Sequence, residues 1–125
     1  MSTPLRTFQV DSLHVEVYRQ EADLVSSLVQ QTQFYLRDTI DQQGSVAAIL
    51  ASGGSQIRFL QDLTRCGEID WQRITLFHLD EYLGISGEHL ASFQRYMREL
   101  VTEKVTPLQF HYLAGDTLEP IAECD

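Results

Sequence analysis

Three short clusters in this chain hold residue types that chemistry needs. The first is Ser52-Gly53-Gly54-Ser55, between an apolar run and a helical pattern. Glycine lets a backbone turn sharply and come close to a ligand. The first amides of a helix have no partner inside it and sit at the positive end of its dipole. Together with the hydroxyls of Ser52 and Ser55 these features suit a phosphate group. The plain alternative is a tight strand-to-helix turn in which Ser55 caps the helix. The loop is neither a P-loop, lacking the Lys-Ser/Thr ending, nor a G-x-G-x-x-G dinucleotide loop.

The second cluster is Asp80-Glu81-Tyr82, directly after an apolar strand-like run. Ligands of open α/β sheets bind beyond the C-terminal ends of the strands. A carboxylate there can serve as a general base if it is held near a substrate C–H. The alternative is that Asp80 caps the next turn while Glu81 is solvated. The third cluster is Glu88-His89, where the histidine suits a base, a ligand or a plain cap. His14 reads as a surface residue, His78 as packed within a strand, and His111 carries no signal. The four histidines and two cysteines show no metal-ligand spacing, so neither a metal nor another cofactor is expected.

Composition narrows the partners. Nine basic residues against eighteen acidic ones leave a net charge of −9, which disfavours nucleic acid and anionic lipid surfaces. A single phosphate on a small molecule stays compatible, because a few local amides hold it whatever the global charge. No run approaches the roughly 20 apolar residues of a membrane-spanning helix. The opening MSTPLRTFQV has no apolar block and does not read as a signal peptide. Cys66 and Cys124 read as free thiols of a cytoplasmic protein.

The elements that must position these clusters follow from periodicity. Residues 1–12 read as an irregular lead-in. Residues 13–18 alternate, with Leu13, Val15 and Val17 on one face, as a strand does. Val25, Val29, Thr32, Leu36 and Ile40 recur at helical steps, predicting a helix over 21–40. The apolar run at 46–51 suits a strand buried on both faces. A helix over 56–66 follows, ended by Gly67, then a strand at 74–79. The pattern Leu90, Phe93, Met97, Leu100, Val101 predicts a long helix over 88–104, ended by Pro107, with a short strand near 110–113. The alternation predicts an α/β fold: a three-layer sandwich with a mostly parallel, Rossmann-like sheet, incomplete at its C-terminal end. Strands 13–18, 46–51 and 74–79 are expected as parallel neighbours.

Taken in order, these residues resemble a known family. ITLFHLDEYLGISGEHLASFQRYM (74–97) is similar to the strand–Asp-Glu-Tyr–loop–Glu-His–helix segment of glucosamine-6-phosphate deaminases. ILASGGSQIRFLQDL (49–63) is similar to their phosphate loop, usually written Thr-Gly-Gly-Thr-Pro, and YLAGDTLEPIAEC (112–124) to the segment that follows. The resemblance covers residues 45–125. It implies that Gly53, Gly54 and Ser55 cradle phosphate, with Ser52 keeping the hydroxyl of a usual threonine. It implies that Asp80 is the base moving a proton between C2 and C1 of the opened sugar. Glu81 is its catalytic neighbour, and Tyr82 and His89 lie on the substrate. Gln56 stands where the family has proline, and Leu90 and Ala91 depart from the usual Pro and acidic or amide residue.

The implied reaction turns an amino-sugar 6-phosphate and water into a ketose 6-phosphate and ammonia, a step of amino-sugar catabolism. Its only expected partner is the small sugar phosphate, and a homo-oligomer of the full-length protein is compatible with it. The family's second motif, Asp-Gly-His followed by a Glu, is absent from this chain. Residues 1–125 are therefore expected to be the N-terminal portion of a single isomerase/deaminase domain, inactive and poorly stable alone. The related 6-phosphogluconolactonases would favour Arg after Asp-Glu, where this chain has Tyr82. A non-catalytic sugar-phosphate-binding domain would keep loop 52–55 without needing Asp80.

Overall fold

A computed structural model describes residues 2–125. Leading the chain, β1 (Arg6–Val10) and β2 (Leu13–Val17) pair antiparallel, with Phe8 opposite Val15. Only two residues join them, and Asp11 takes φ 52°, a left-handed conformation that Asp tolerates better than most residues. So short a connection allows only an antiparallel pair. This corrects two expectations. Within the lead-in expected to be irregular, Arg6–Val10 form a strand, and 13–17 pair with it in a separate two-stranded sheet instead of joining the parallel one.

Helix α1 (Glu21–Gln43) buries Val25, Val29 and Leu36, the centre of the predicted stripe. It ends at Gly44, whose φ of 84° turns its amide back onto the Ile40 carbonyl at 2.7 Å. Strand β3 (Val46–Leu50) follows, then a single 3₁₀ turn (Gly54–Gln56) running into α2 (Ile57–Arg65). Another 3₁₀ turn, Trp71–Arg73, leads into β4 (Ile74–His78). Helix α3 (Phe93–Met97) continues into a π-helical turn, Arg98–Thr102. Strand β5 (Gln109–His111) and a last short helix, α4 (Pro120–Cys124), complete the order. No helix among the described residues is long and apolar enough to cross a membrane.

The parallel sheet has the order β3-β4-β5. Its register sets Ala48 beside Leu76 and Leu76 beside Phe110. These three share the face on which the helices lie. Leu60 and Leu63 of α2, Met97 of α3 and Val101 of the π turn close over Ile74 and Leu76, all almost fully buried. Burying each such side chain is worth about 1.5–3 kcal/mol. The other face carries the row Ile49, Phe77, His111, and Ile49 is 65% exposed. The α/β fold with a parallel sheet is therefore present. Of the three layers expected, the described residues build the sheet and one helical layer.

The long helix expected over 88–104 is shorter, beginning at Phe93. Leu90, counted on its apolar face, is 84% exposed. The helix starts where its first amides find acceptors, and that place is set by a residue far back in the chain, described next.

Candidate functional site

Parallel pairing brings the first two clusters together. Leu50 is in register with His78, and the Leu79 amide donates to the Leu50 carbonyl at 3.0 Å. The loops after β3 and β4 therefore leave the sheet side by side. Ser52 donates its hydroxyl to Asp80 Oδ1 at 3.1 Å.

In loop 52–55 the turn is made by Gly53, whose φ of 119° and ψ of 172° are practicable only for glycine. A Cβ built on Gly53 or on Gly54 meets nothing within 4 Å, so the space in front of both residues is open. The Gly53 carbonyl accepts from the Gln56 amide at 3.1 Å and from the Tyr96 hydroxyl at 2.7 Å. Ser55 is not a helix cap: it lies inside the first turn, and its hydroxyl accepts from Gln56 Nε2 at 3.3 Å.

Asp80 and Glu81 divide their roles sharply. Asp80 is exposed and turned toward Ser52. Glu81 is turned toward the start of α3. Its carboxylate accepts from the Tyr82 amide at 2.9 Å, the Ser92 hydroxyl at 2.7 Å, and the Phe93 and Gln94 amides at 3.0 Å each. Ser92 in turn accepts from the Arg95 amide at 3.3 Å. One carboxylate thus satisfies donors that a helix N-terminus otherwise leaves orphaned. Burial alone would raise the Glu81 carboxyl, but the bonds from Gln94, Ser92, Phe93 and Tyr82 outweigh it and hold it below the usual range. Hydrogen bonds to the charged form have this effect. The alternative raised by sequence, Asp80 capping and Glu81 solvated, is inverted here.

Tyr82 is half-exposed and stacks on Phe93, ring centroids 5.2 Å apart. His89 is exposed, and its Nδ1 accepts from the Ala91 amide at 3.0 Å, so the ring closes its own turn. Among the described residues no hydrogen bond ties it to Asp80 or to loop 52–55. Glu88 pairs with Arg98 at 2.7 Å, pinning this loop to the helix behind it.

Two further residues support the site: His78, packed within its strand as its sequence context implies, and a glycine whose role the sequence does not reveal. His78, 3% exposed, accepts the Leu113 amide on Nε2 at 2.8 Å, so the end of β4 is tied to the strand-exit segment after β5. Burial pushes its pKa down, against the pull of Glu81 and Asp80. Gly115, read as part of a turn, presses against the Asp-Glu-Tyr segment. A Cβ there would run into the Tyr82 carbonyl oxygen and lie 3.0 Å from Glu81 Cγ. The Gly84 amide donates to the Gly115 carbonyl at 2.7 Å. An isolated Gly-Asp pair signals a turn and gives no hint of this crossing.

The chain has known relatives. The family profile described as glucosamine-6-phosphate isomerases/6-phosphogluconolactonase matches residues 19–124. The chain is 33% identical over 81 residues to a glucosamine-6-phosphate deaminase of Shewanella woodyi, covering 61% of this chain and 31% of that one. It is 29% identical over 94 residues to glucosamine-6-phosphate deaminase 2 of Bacillus subtilis, covering 71% and 38%. The chain thus spans about a third of the length of the curated relatives it matches. Among solved structures, a monomeric glucosamine-6-phosphate deaminase superposes with a TM-score of 0.72 at 25% identity, over 84% of this chain and 44% of that one. A 6-phosphogluconolactonase from Shewanella baltica superposes equally well, at 0.72 over 86% and 46%, and at 20% identity it speaks for the fold alone.

Proposed function

This chain belongs to the glucosamine-6-phosphate isomerase/6-phosphogluconolactonase family, and from that premise we propose that it holds the phosphate and moves the proton in an aldose–ketose isomerisation coupled to deamination of an amino-sugar 6-phosphate. The observation that carries this reading is the 3.1 Å contact between Ser52 and Asp80, which joins a candidate phosphate loop to a candidate base. The relatives named as deaminases support it.

In this mechanism the amides of Gly54 and Ser55, with the Ser55 hydroxyl, take the phosphate at the start of α2, and Ser52 ties that loop to Asp80. The sugar extends from there toward Asp80. Its carboxylate takes the C2 proton of the opened amino-aldose while the aldehyde oxygen is protonated, giving an enaminol. The carboxylic acid then returns its proton to C1, and the nitrogen gives up one of its own, leaving an imine at C2. Water adds to the imine, ammonia leaves, and a ketose 6-phosphate remains. Glu81 is a positioning residue here, since its lone pairs are committed to α3. Tyr82 and His89 border the substrate as the family resemblance implies, His89 from a loop fixed by Arg98. Opening the sugar ring calls for a histidine with acidic partners that residues 1–125 do not carry in the family's pattern.

A lactonase shares the fold, but Tyr82 stands where that branch would favour a cation for its acidic substrate. The two readings separate on proton exchange, because lactone hydrolysis breaks no C–H bond. The test places fructose 6-phosphate, ammonium and the whole protein that carries this chain in deuterated buffer and follows deuterium entering C1. Exchange that disappears in Asp80→Asn supports the proposal. Exchange equal in wild type, variant and buffer alone overturns it.

A further inference from the structure

One residue outside every motif touches the site from behind. Tyr96 lies on α3, and its partly buried hydroxyl donates to the Gly53 carbonyl at 2.7 Å, across 43 positions of sequence. A peptide unit is planar and trans, so its C=O and its N–H point in opposite directions. The Gly53 carbonyl and the Gly54 N–H belong to one such unit. A hydroxyl on α3 that holds the oxygen therefore turns the Gly54 amide to the opposite side, away from α3.

We propose that Tyr96 is a positioning residue for the phosphate cradle, setting the direction of the Gly53–Gly54 peptide and thereby aiming the Gly54 N–H at the anion. The inference rests on reading loop 52–55 as the phosphate site. Two glycines in succession give this peptide little steric preference of its own. The other bond to the same oxygen, from the Gln56 amide, lies within the loop and moves with it. Among the described residues only Tyr96 ties the oxygen to a separate element. That element is itself fixed, because Glu81 holds the α3 N-terminus through Ser92, Phe93 and Gln94. One turn of α3 thus spans both loops: Glu81 grips its start, and Tyr96, near its end, grips the glycines. Edge-on contact with Phe93, at 6.1 Å between centroids, keeps the ring in place. Burial pushes the Tyr96 hydroxyl up, so it remains a donor at neutral pH.

The experiment titrates fructose 6-phosphate into the whole protein that carries this chain, labelled with ¹⁵N and ¹³C. It compares wild type, Tyr96→Phe and, as a control, Tyr112→Phe, whose lost hydroxyl contacts Thr102 instead of the loop. Tyr96→Phe keeps the ring and removes one hydrogen bond, for which about tenfold weaker binding is expected. The Gly53 carbonyl resonance should shift before any ligand is added, and the ligand-induced shift at the Gly54 amide should shrink. Tyr112→Phe should bind as wild type does. If wild type binds and Tyr96→Phe binds within about twofold of it, with Gly53 unmoved, the positioning role is wrong and the phosphate reading stands. If wild type gives no shift at residues 53–55, the phosphate reading itself fails and takes this role with it.

Discussion

The hydroxyl of Ser92 sits 2.7 Å from the carboxylate of Glu81, and that contact fixes where α3 begins. Two backbone amides of the same helix turn share the carboxylate. A residue of the Asp-Glu-Tyr cluster is thereby built into the frame, leaving its neighbour Asp80 free for the crevice.

Replacing Glu81 with Gln turns one acceptor oxygen into an NH₂ that faces donors. Hydrogen bonds to a charged group are worth about 1.5–3 kcal/mol, so a loss of that order in stability is expected, read from urea unfolding. The α3 amides at 93 and 94 should also exchange with solvent faster. A variant as stable as wild type, with unchanged exchange, would show that the carboxylate does not anchor the helix.

Asp80→Asn keeps the shape and the Ser52 contact but removes basicity. If Asp80 is the proton-moving base, deuterium entry at C1 of fructose 6-phosphate falls by about 10²–10⁴, with binding little changed. Exchange near the wild-type rate would assign the base elsewhere.

Gly54→Val separates ligand approach from folding. The added side chain meets no protein atom near its Cβ, so melting should shift little. It would fill the space in which the phosphate must lie, and calorimetric titration with fructose 6-phosphate should show no binding. Unchanged affinity would count against the loop as the phosphate site.

His78 predicts a pH dependence of stability. Its folded pKa lies below the ordinary 6.5, so below that pH the unfolded chain takes up a proton that the folded chain refuses. Stability should hold above pH 6.5 and decline as pH falls from there toward the folded pKa. Protonation would also turn Nε2 into a donor facing the Leu113 amide. Glu81, held below its ordinary 4.5, adds a second decline only under more acid conditions. Denaturant unfolding followed across pH should show the upper step in wild type and not in His78→Asn. A flat profile between pH 5 and 7 would remove His78 from this account.

The uncovered sheet face predicts how the chain behaves alone. Ile49 and Leu79 are more than half exposed and Phe77 is 37% exposed, an apolar row of the kind that proteins normally cover. Residues 1–125 alone should melt with low cooperativity and bind a hydrophobic dye. They should also release no ammonia from glucosamine 6-phosphate, since the ring-opening group is not among them. A sharp monomeric melt with measurable ammonia release would contradict both expectations.

Much of this protein was legible from residue order. The runs 46–51 and 74–79, separated by one helical pattern, imply parallel strands with loops 52–55 and 80–82 at the same end. The structure pairs β3 with β4 in that way. Short-range periodicity suffices there because strand and helix bury side chains at different steps, two against 3.6. The leading hairpin is not legible in the sequence because its turn, Asp11-Ser12, is not a strong hairpin pair, although Asp11 adopts the left-handed conformation it needs. Leu90 continues the apolar spacing and so points to an earlier start for α3, whereas a helix begins where orphan amides find acceptors. Which of two adjacent carboxylates faces the crevice lies beyond any local rule. Asp80 and Glu81 carry the same functional group and adjoin in sequence, and the choice is made by amides at 93 and 94 that only folding brings near. The bond from Tyr96 to Gly53 is of the same kind. Residue types and spacing determined which groups are available, and the tertiary structure decided which of them remain free, because a hydrogen-bond partner is a matter of position in space.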